Sequence, residues 1–235
     1  TFTITVTDSK GTDKAITVHD NMSDGLTLDV DSYTVTGPKD VSGTKTTGQT
    51  LVAGTDYTIT IKSGIPMKDY ATLATGTTIG TLSDTCAFEI VLSEDYVKYL
   101  DENDVVTITY QAELNKDAET ASPFETNKTT LKYSQQSTTE ITTTVKTFEG
   151  DLVKTDSSHN LLDGATFKMY NAATNGTAYD LVMVGTPTAP ATTTGVYEIK
   201  SSDNSGTVAT SLVPLNGKLT IKGLENGSYY FEEVT

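Results

Sequence analysis

The chain has 235 residues and a formal net charge of -15, from 31 acidic against 16 basic residues. That balance argues against nucleic acid, which requires a basic face, and against docking on anionic lipid; its plain meaning is solubility. Cys86 is the one cysteine, so no internal disulfide can form, and no apolar run is long enough to span a membrane. Abundant Thr, 12 Tyr, no Trp and the lack of long helical periodicity make the class all-β. The length suits two ordinary domains better than one large one. No signal peptide is visible, and a chain that opens on one strand and stops just after another reads as a piece of something longer.

The chain opens with TFTITVT, which alternates strictly and turns Phe2, Ile4 and Val6 inward. AITVHD follows a polar turn and puts Ile16, Val18 and Asp20 on one face, so Asp20 is a carboxylate at the inner end of a strand. The competing reading is a turn aspartate before Asn21. GLTLDVDSYTV continues the sheet, residues 37–49 read as a long polar loop, and DYTITIKSG is a strand. CAFEIVL carries Cys86 on the face of Phe88, Ile90 and Leu92, a buried structural thiol. Asp95 to Leu100 reads as a helical turn or two. DVVTITYQAEL then faces Val106, Ile108, Tyr110, Ala112 and Leu114 one way, and TNKTTLKYS places Asn127 beside Leu131 and Tyr133. Asn127 opens an N-x-T sequon, but an inward amide cannot carry a glycan.

The Ser/Thr-rich residues 135–147 read as a partly extended junction, dividing the chain into domains 1–144 and 145–235. In the second domain, Phe148, Gly150, Leu152 and Lys154 share one strand face, which makes Lys154 an inward lysine. A following strand turns Ala165, Phe167 and Met169 inward. TPTAPATTTG reads as an exposed loop, VYEIK and GKLTIKGL as strands, and SYYFEEVT as a last strand. With the Phe231 face inside, Glu233 is an inward carboxylate.

Lys154, Glu233, Asp20 and Asn127 are thus expected on apolar faces. Burial lowers the pKa of an amine and raises that of a carboxylic acid. A neutral amine can attack an Asn side-chain carbonyl while a neutral acid shuttles protons; ammonia leaves and an isopeptide bond remains. In a β-domain without disulfides, such a cross-link constrains the unfolded chain as a disulfide does.

LVKTD, LLDGATFKMY and GKLTIKGLENGSYYFEEVT together resemble the Cna B-type domain of Gram-positive surface proteins and pilins. The resemblance covers about residues 148–235 and implies that Lys154 is the bonding lysine and Glu233 the E-box acid. TFTITVTD, AITVHDNMSDGLTL, VVTITYQAELNKDA and TNKTTLKYS resemble the preceding Cna A-type domain of backbone pilins, which implies Asp20 as catalytic acid and Asn127 as bonding asparagine. Both domains are then expected to be immunoglobulin-like β-sandwiches. The family pattern puts the lysine partner of Asn127 before residue 1 and the asparagine partner of Lys154 after Thr235, leaving the first domain without its N-terminal strand and the second without its C-terminal one. Lys10, Lys14 and Lys146 are present, but none lies in the matching motif.

The function implied is a structural subunit of a Gram-positive pilus, extracellular at the cell wall, joined to neighbouring pilin subunits through sortase linkage. The alternative is an adhesin or stalk module whose loops, Pro38 to Thr50 or Met183 to Gly195, bind a host ligand. His19 and His159 lie at strand ends or turns with no Cys cluster or triad spacing, which argues against turnover catalysis. No cofactor or metal is expected; the acidic runs Asp29 to Asp31 and Asp101 to Asp104 lack an EF-hand pattern and read as solvated turns.

Overall fold

Period-two patterning governs the folded chain, and its apolar faces meet in pairs. The computed structural model describes residues 1–8, 14–115, 117–118, 124–184, 195–200 and 206–234. It divides into one unit of Thr1–Glu113 with Glu125–Val145 and a second of Leu114–Phe124 with Lys146–Thr235. Both are β-sandwiches, as the alternation requires.

The first unit contains, in chain order, β1 (Phe2–Thr7), β2 (Ile16–Met22), β3 (Leu26–Val41), β4 (Thr44–Thr50), β5 (Tyr57–Lys62), β6 (Thr77–Gly80), β7 (Phe88–Leu92), α1 (Glu94–Tyr99), β8 (Val105–Leu114), β9 (Glu125–Tyr133), β10 (Gln136–Ser137) and β11 (Ile141–Val145). Among the described residues one sheet runs β1-β8-β3-β4 and the other β10-β9-β2-β7-β5-β6, with β11 added on β9. Val18, Ile59, Phe88, Ile90, Ile108 and Tyr110 are almost wholly buried. Phe88 of one sheet meets Tyr110 of the other edge to face, ring centroids 4.9 Å apart. The helix α1 is capped by Ser93, whose hydroxyl accepts the Tyr96 amide, and Tyr96 and Val97 face inward from it.

One reading of this unit needs correction. Residues 37–49 are not a loop but the β3–β4 hairpin, whose tip is Ser42-Gly43 with φ of 55° and 81°. A two-residue turn with positive φ at both positions matches the twist of paired strands, and Gly43 adopts it without a Cβ penalty. The extended part of the Ser/Thr-rich junction consists of β10 and β11, both paired with β9. Four of the five residues of β11 are exposed, so a threonine-rich edge strand satisfies its backbone without needing apolar side chains.

The second unit contains β12 (Phe148–Val153), β13 (Phe167–Tyr170), β14 (Leu181–Met183), β15 (Val196–Ile199), β16 (Lys218–Leu224) and β17 (Tyr230–Glu233). Its described strands form the sheets β12-β16-β15-β14 and β13-β17. Phe167, Met169, Leu181, Tyr197, Leu219 and Ile221 make the core, with Leu152, Tyr229 and Phe231 packed against it. The Phe231 face of the last strand is therefore the inner one. Most of the loop expected around TPTAPATTTG lies outside the described residues.

Candidate functional site

In the first unit, alternation along β2 carries Asp20 into the core, where it is 0% exposed. Its neighbours come from both sheets. Tyr110 on β8 donates its hydroxyl to the Asp20 carboxylate, 3.1 Å from each oxygen. From β9, Asn127 Nδ2 and Thr129 Oγ1 donate to Asp20 Oδ2 at 3.0 and 2.9 Å. Asn127 Nδ2 also lies 2.6 Å from Tyr110 Oη. Phe2 stacks on the Tyr110 ring at 5.2 Å, and Phe88 and Tyr33 close the other sides.

Burial pushes the Asp20 carboxyl up to about 6, against the opposing pull of hydrogen bonds from Asn127, Thr129 and Tyr110. Burial, with the adjacent Asp20 charge, also raises the Tyr110 phenol, so it remains a donor. Asn127 Oδ1 is buried without a hydrogen-bond partner, as is Tyr33 Oη. An unpaired buried carbonyl costs about 1–3 kcal/mol, so this atom marks a place where a donor belongs. Two orientations of the Asn127 amide match two states of the acid. Ionised Asp20 accepts the amide N–H groups, whereas protonated Asp20 donates to the carbonyl. Described lysines of this unit are engaged elsewhere: Lys14 with Glu94, Lys39 with Asp56, Lys62 with the Asp84 carbonyl and Lys128 with Glu140. Lys10 lies outside the described residues.

Asp20 and Asn127 were visible in the sequence; Tyr110, Thr129 and Tyr33 were not assigned to the site. Tyr110 stands on an apolar face and reads as core until the sheets are superposed. The acidic runs are neutralised by lysines: Lys45 pairs with Asp101 at 2.8 Å and also with Asp104, and Lys68 pairs with Asp29 at 3.3 Å and also with Glu113.

In the second unit, the structure brings Lys154 and Glu233 together, Nζ to Oε2 at 2.5 Å. The expected burial of Lys154 is corrected. It lies just past the end of β12, with side-chain exposures of 32% for Lys154 and 45% for Glu233. The register of β12 against β16 shifts between Phe148 and Gly150, which turns Phe148 out to 47% exposure and breaks the continuous inner face. Ala165, Phe167 and Met169 point inward as the alternation predicts. The paired strands β13 and β17 set Phe167 opposite Glu233 and Met169 opposite Phe231. Residues 148–235 match the SpaA prealbumin-like fold domain.

The segment matching that domain carries the part-exposed Lys154–Glu233 pair. Solved structures extend the likeness to the whole chain. The T6 backbone pilin of serotype M6 Streptococcus pyogenes is 19% identical at a TM-score of 0.51, over 98% of this chain and 42% of the pilin. A 35 kDa C-terminal fragment of the major pilin GBS80 of Streptococcus agalactiae is 14% identical at a TM-score of 0.55, over 94% of this chain and 74% of the fragment. The pilus backbone protein RrgB of Streptococcus pneumoniae is 15% identical at a TM-score of 0.51, over 99% of this chain and 81% of that structure. The chain therefore spans less than half the length of the T6 pilin. No curated protein matches the chain. At these identities the likeness is one of fold, and at that level the resemblance read from the sequence is borne out.

Proposed function

We propose that this chain is part of a structural subunit of a Gram-positive cell-surface pilus, stabilised by intramolecular Lys–Asn isopeptide bonds. The role is load-bearing rather than catalytic, extracellular, and shared with neighbouring subunits through sortase linkage. One observation supports it above the others: the buried Asp20–Asn127–Tyr110 group, with Asn127 Oδ1 left without a donor. A neutral lysine amine brought to Asn127 attacks Cγ while protonated Asp20 hydrogen-bonds the carbonyl oxygen. Asp20 then moves the amine proton to the departing nitrogen; the Cγ–Nδ2 bond breaks, ammonia leaves, and an Nζ–Cγ amide remains. A carboxyl titrating at about 6 suits both halves of that shuttle.

In the second unit we assign Lys154 as nucleophile and Glu233 as acid. At 32% and 45% exposure the pair is open to water, so the reaction there requires it to be covered. The test is the intact mass of the protein as its host makes it. Each bond removes one ammonia, and Asn127→Ala, Asp20→Ala and Glu233→Ala should each restore one. A mass equal to the plain sequence would overturn the proposal. The alternative, an adhesin module, rested partly on loops; Pro38 to Thr50 belongs to a β-hairpin and residues 185–194 lie outside the described structure.

A further inference from the structure

His19 and Asp20 are consecutive on β2 and therefore face opposite sides of the sheet. Asp20 enters the sandwich. His19 lies on the other face, yet it is only 8% exposed. What covers it is a set of groups drawn from distant sequence. Glu89 stands directly across from His19 in the β2–β7 pairing. Asp84 and Cys86 arrive on the turn before β7, and that turn is fastened to β2 by the Ala87 amide donating to the Asp20 carbonyl at 2.7 Å. His19 Nδ1 is 2.9 Å from Asp84 Oδ2, 3.1 Å from Glu89 Oε1 and 3.2 Å from Cys86 Sγ.

The donors here converge on Asp84, which takes both the Cys86 amide and the Cys86 thiol, while His19 faces a second carboxylate in Glu89. One proton on His19 Nδ1 cannot serve the Asp84 and Glu89 carboxylates at once. The Lys132 ammonium reaches the Asp84 carboxylate at 3.4 Å and is 50% exposed. A divalent cation among these atoms would answer all four groups together. We propose that His19, Asp84, Cys86 and Glu89 form a metal site for a borderline-soft divalent ion, Zn2+ best of all, on the outer face of the β2–β7 pair. The four ligand atoms all lie within 4.8 Å of one another. Around tetrahedral Zn2+ such atoms stand roughly 3.3–3.8 Å apart, so uptake lengthens the His19 contacts slightly and draws Cys86 and Glu89, now 3.9 Å apart, slightly together. A set containing one nitrogen and one sulfur selects Zn2+ over Ca2+ or Mg2+, which prefer oxygen alone. A cavity of about 90 Å3 adjoins His19, Asp84 and Cys86, giving the ion an approach from solvent. On binding, the Cys86 thiol proton passes to solvent and the thiolate ligates.

The test uses the tag-free chain, stripped with chelator and titrated with Co2+ as a spectroscopic substitute. We expect one ion per chain, a thiolate-to-cobalt charge-transfer absorption, and displacement of that band by Zn2+. Cys86→Ser should abolish the band, and Glu89→Gln should keep it while weakening affinity by about tenfold or more. His159→Gln should change neither. Circular dichroism of each metal-free variant reports folding; if Cys86→Ser fails to fold, Glu89→Gln and His19→Gln carry the test. Absence of the charge-transfer band, or equal affinity in Glu89→Gln and the parent chain, would overturn the proposal.

Discussion

Asp20 is the residue whose chemistry depends most on its surroundings. Its folded pKa, about 6, lies above the ordinary value of 3.8 because burial penalises the charge. A raised carboxyl stabilises the fold fully while the pH is below the unfolded value, and that contribution is lost as the pH rises through the folded one. The shift of about two units corresponds to about 3 kcal/mol. Asp20→Asn removes the titration, so the variant should gain on the parent chain as pH climbs from about 4 to about 7. Urea unfolding of both across that range checks it, and parallel curves would show that Asp20 is not the titrating group. Tyr110→Phe, by contrast, should destabilise by about 1–3 kcal/mol at any pH in that range, because the donor to Asp20 and the acceptor for Asn127 disappear together.

At the scale of the element, the turn between β2 and β3 governs where β9 begins. Glu125, 6% exposed at the head of β9, takes hydrogen bonds from Ser23 Oγ at 2.5 Å and from the Gly25 amide at 3.1 Å. A Cβ on Gly25 would collide with that carboxylate. Gly25→Ala should therefore cost about 1–3 kcal/mol, and in a cross-linking protein it should lower bond yield, because Asn127 follows Glu125 by two residues on the same face. Thermal unfolding and intact mass measure the two effects. Strands with strict alternation, such as β1, β5 and β8, were legible in the sequence because one face of each is the more buried. The hairpin at Ser42-Gly43 was not, since polar strands leave no hydrophobic period. Nor was the His19–Cys86 contact, which spans 67 residues and exists only because β2 pairs with β7. Lys154 was placed on the correct strand face but at the wrong depth, because it stands just past the end of β12, and a period of two does not say where a strand stops.

For the whole molecule, the second unit has its own core, and a lesion there should stay local. Met169 is 1% exposed within that core. Met169→Ala should destabilise this unit by about 2–5 kcal/mol while the amides of β2, β7 and β8 keep their protection from hydrogen exchange. Loss of protection in both units together would indicate a single cooperative body.

The alternation of His19 and Asp20 on β2 has a consequence for quality control. A slip of one residue in the pairing of β2 would carry the imidazole into the core and the carboxyl to the outside, disabling both sites. Only a chain in correct register can complete the proposed bond at Asn127, and the bond does not reverse. The missing ammonia would then act as a molecular timestamp: even after later damage or unfolding, a chain's mass would record that it had once been correctly assembled.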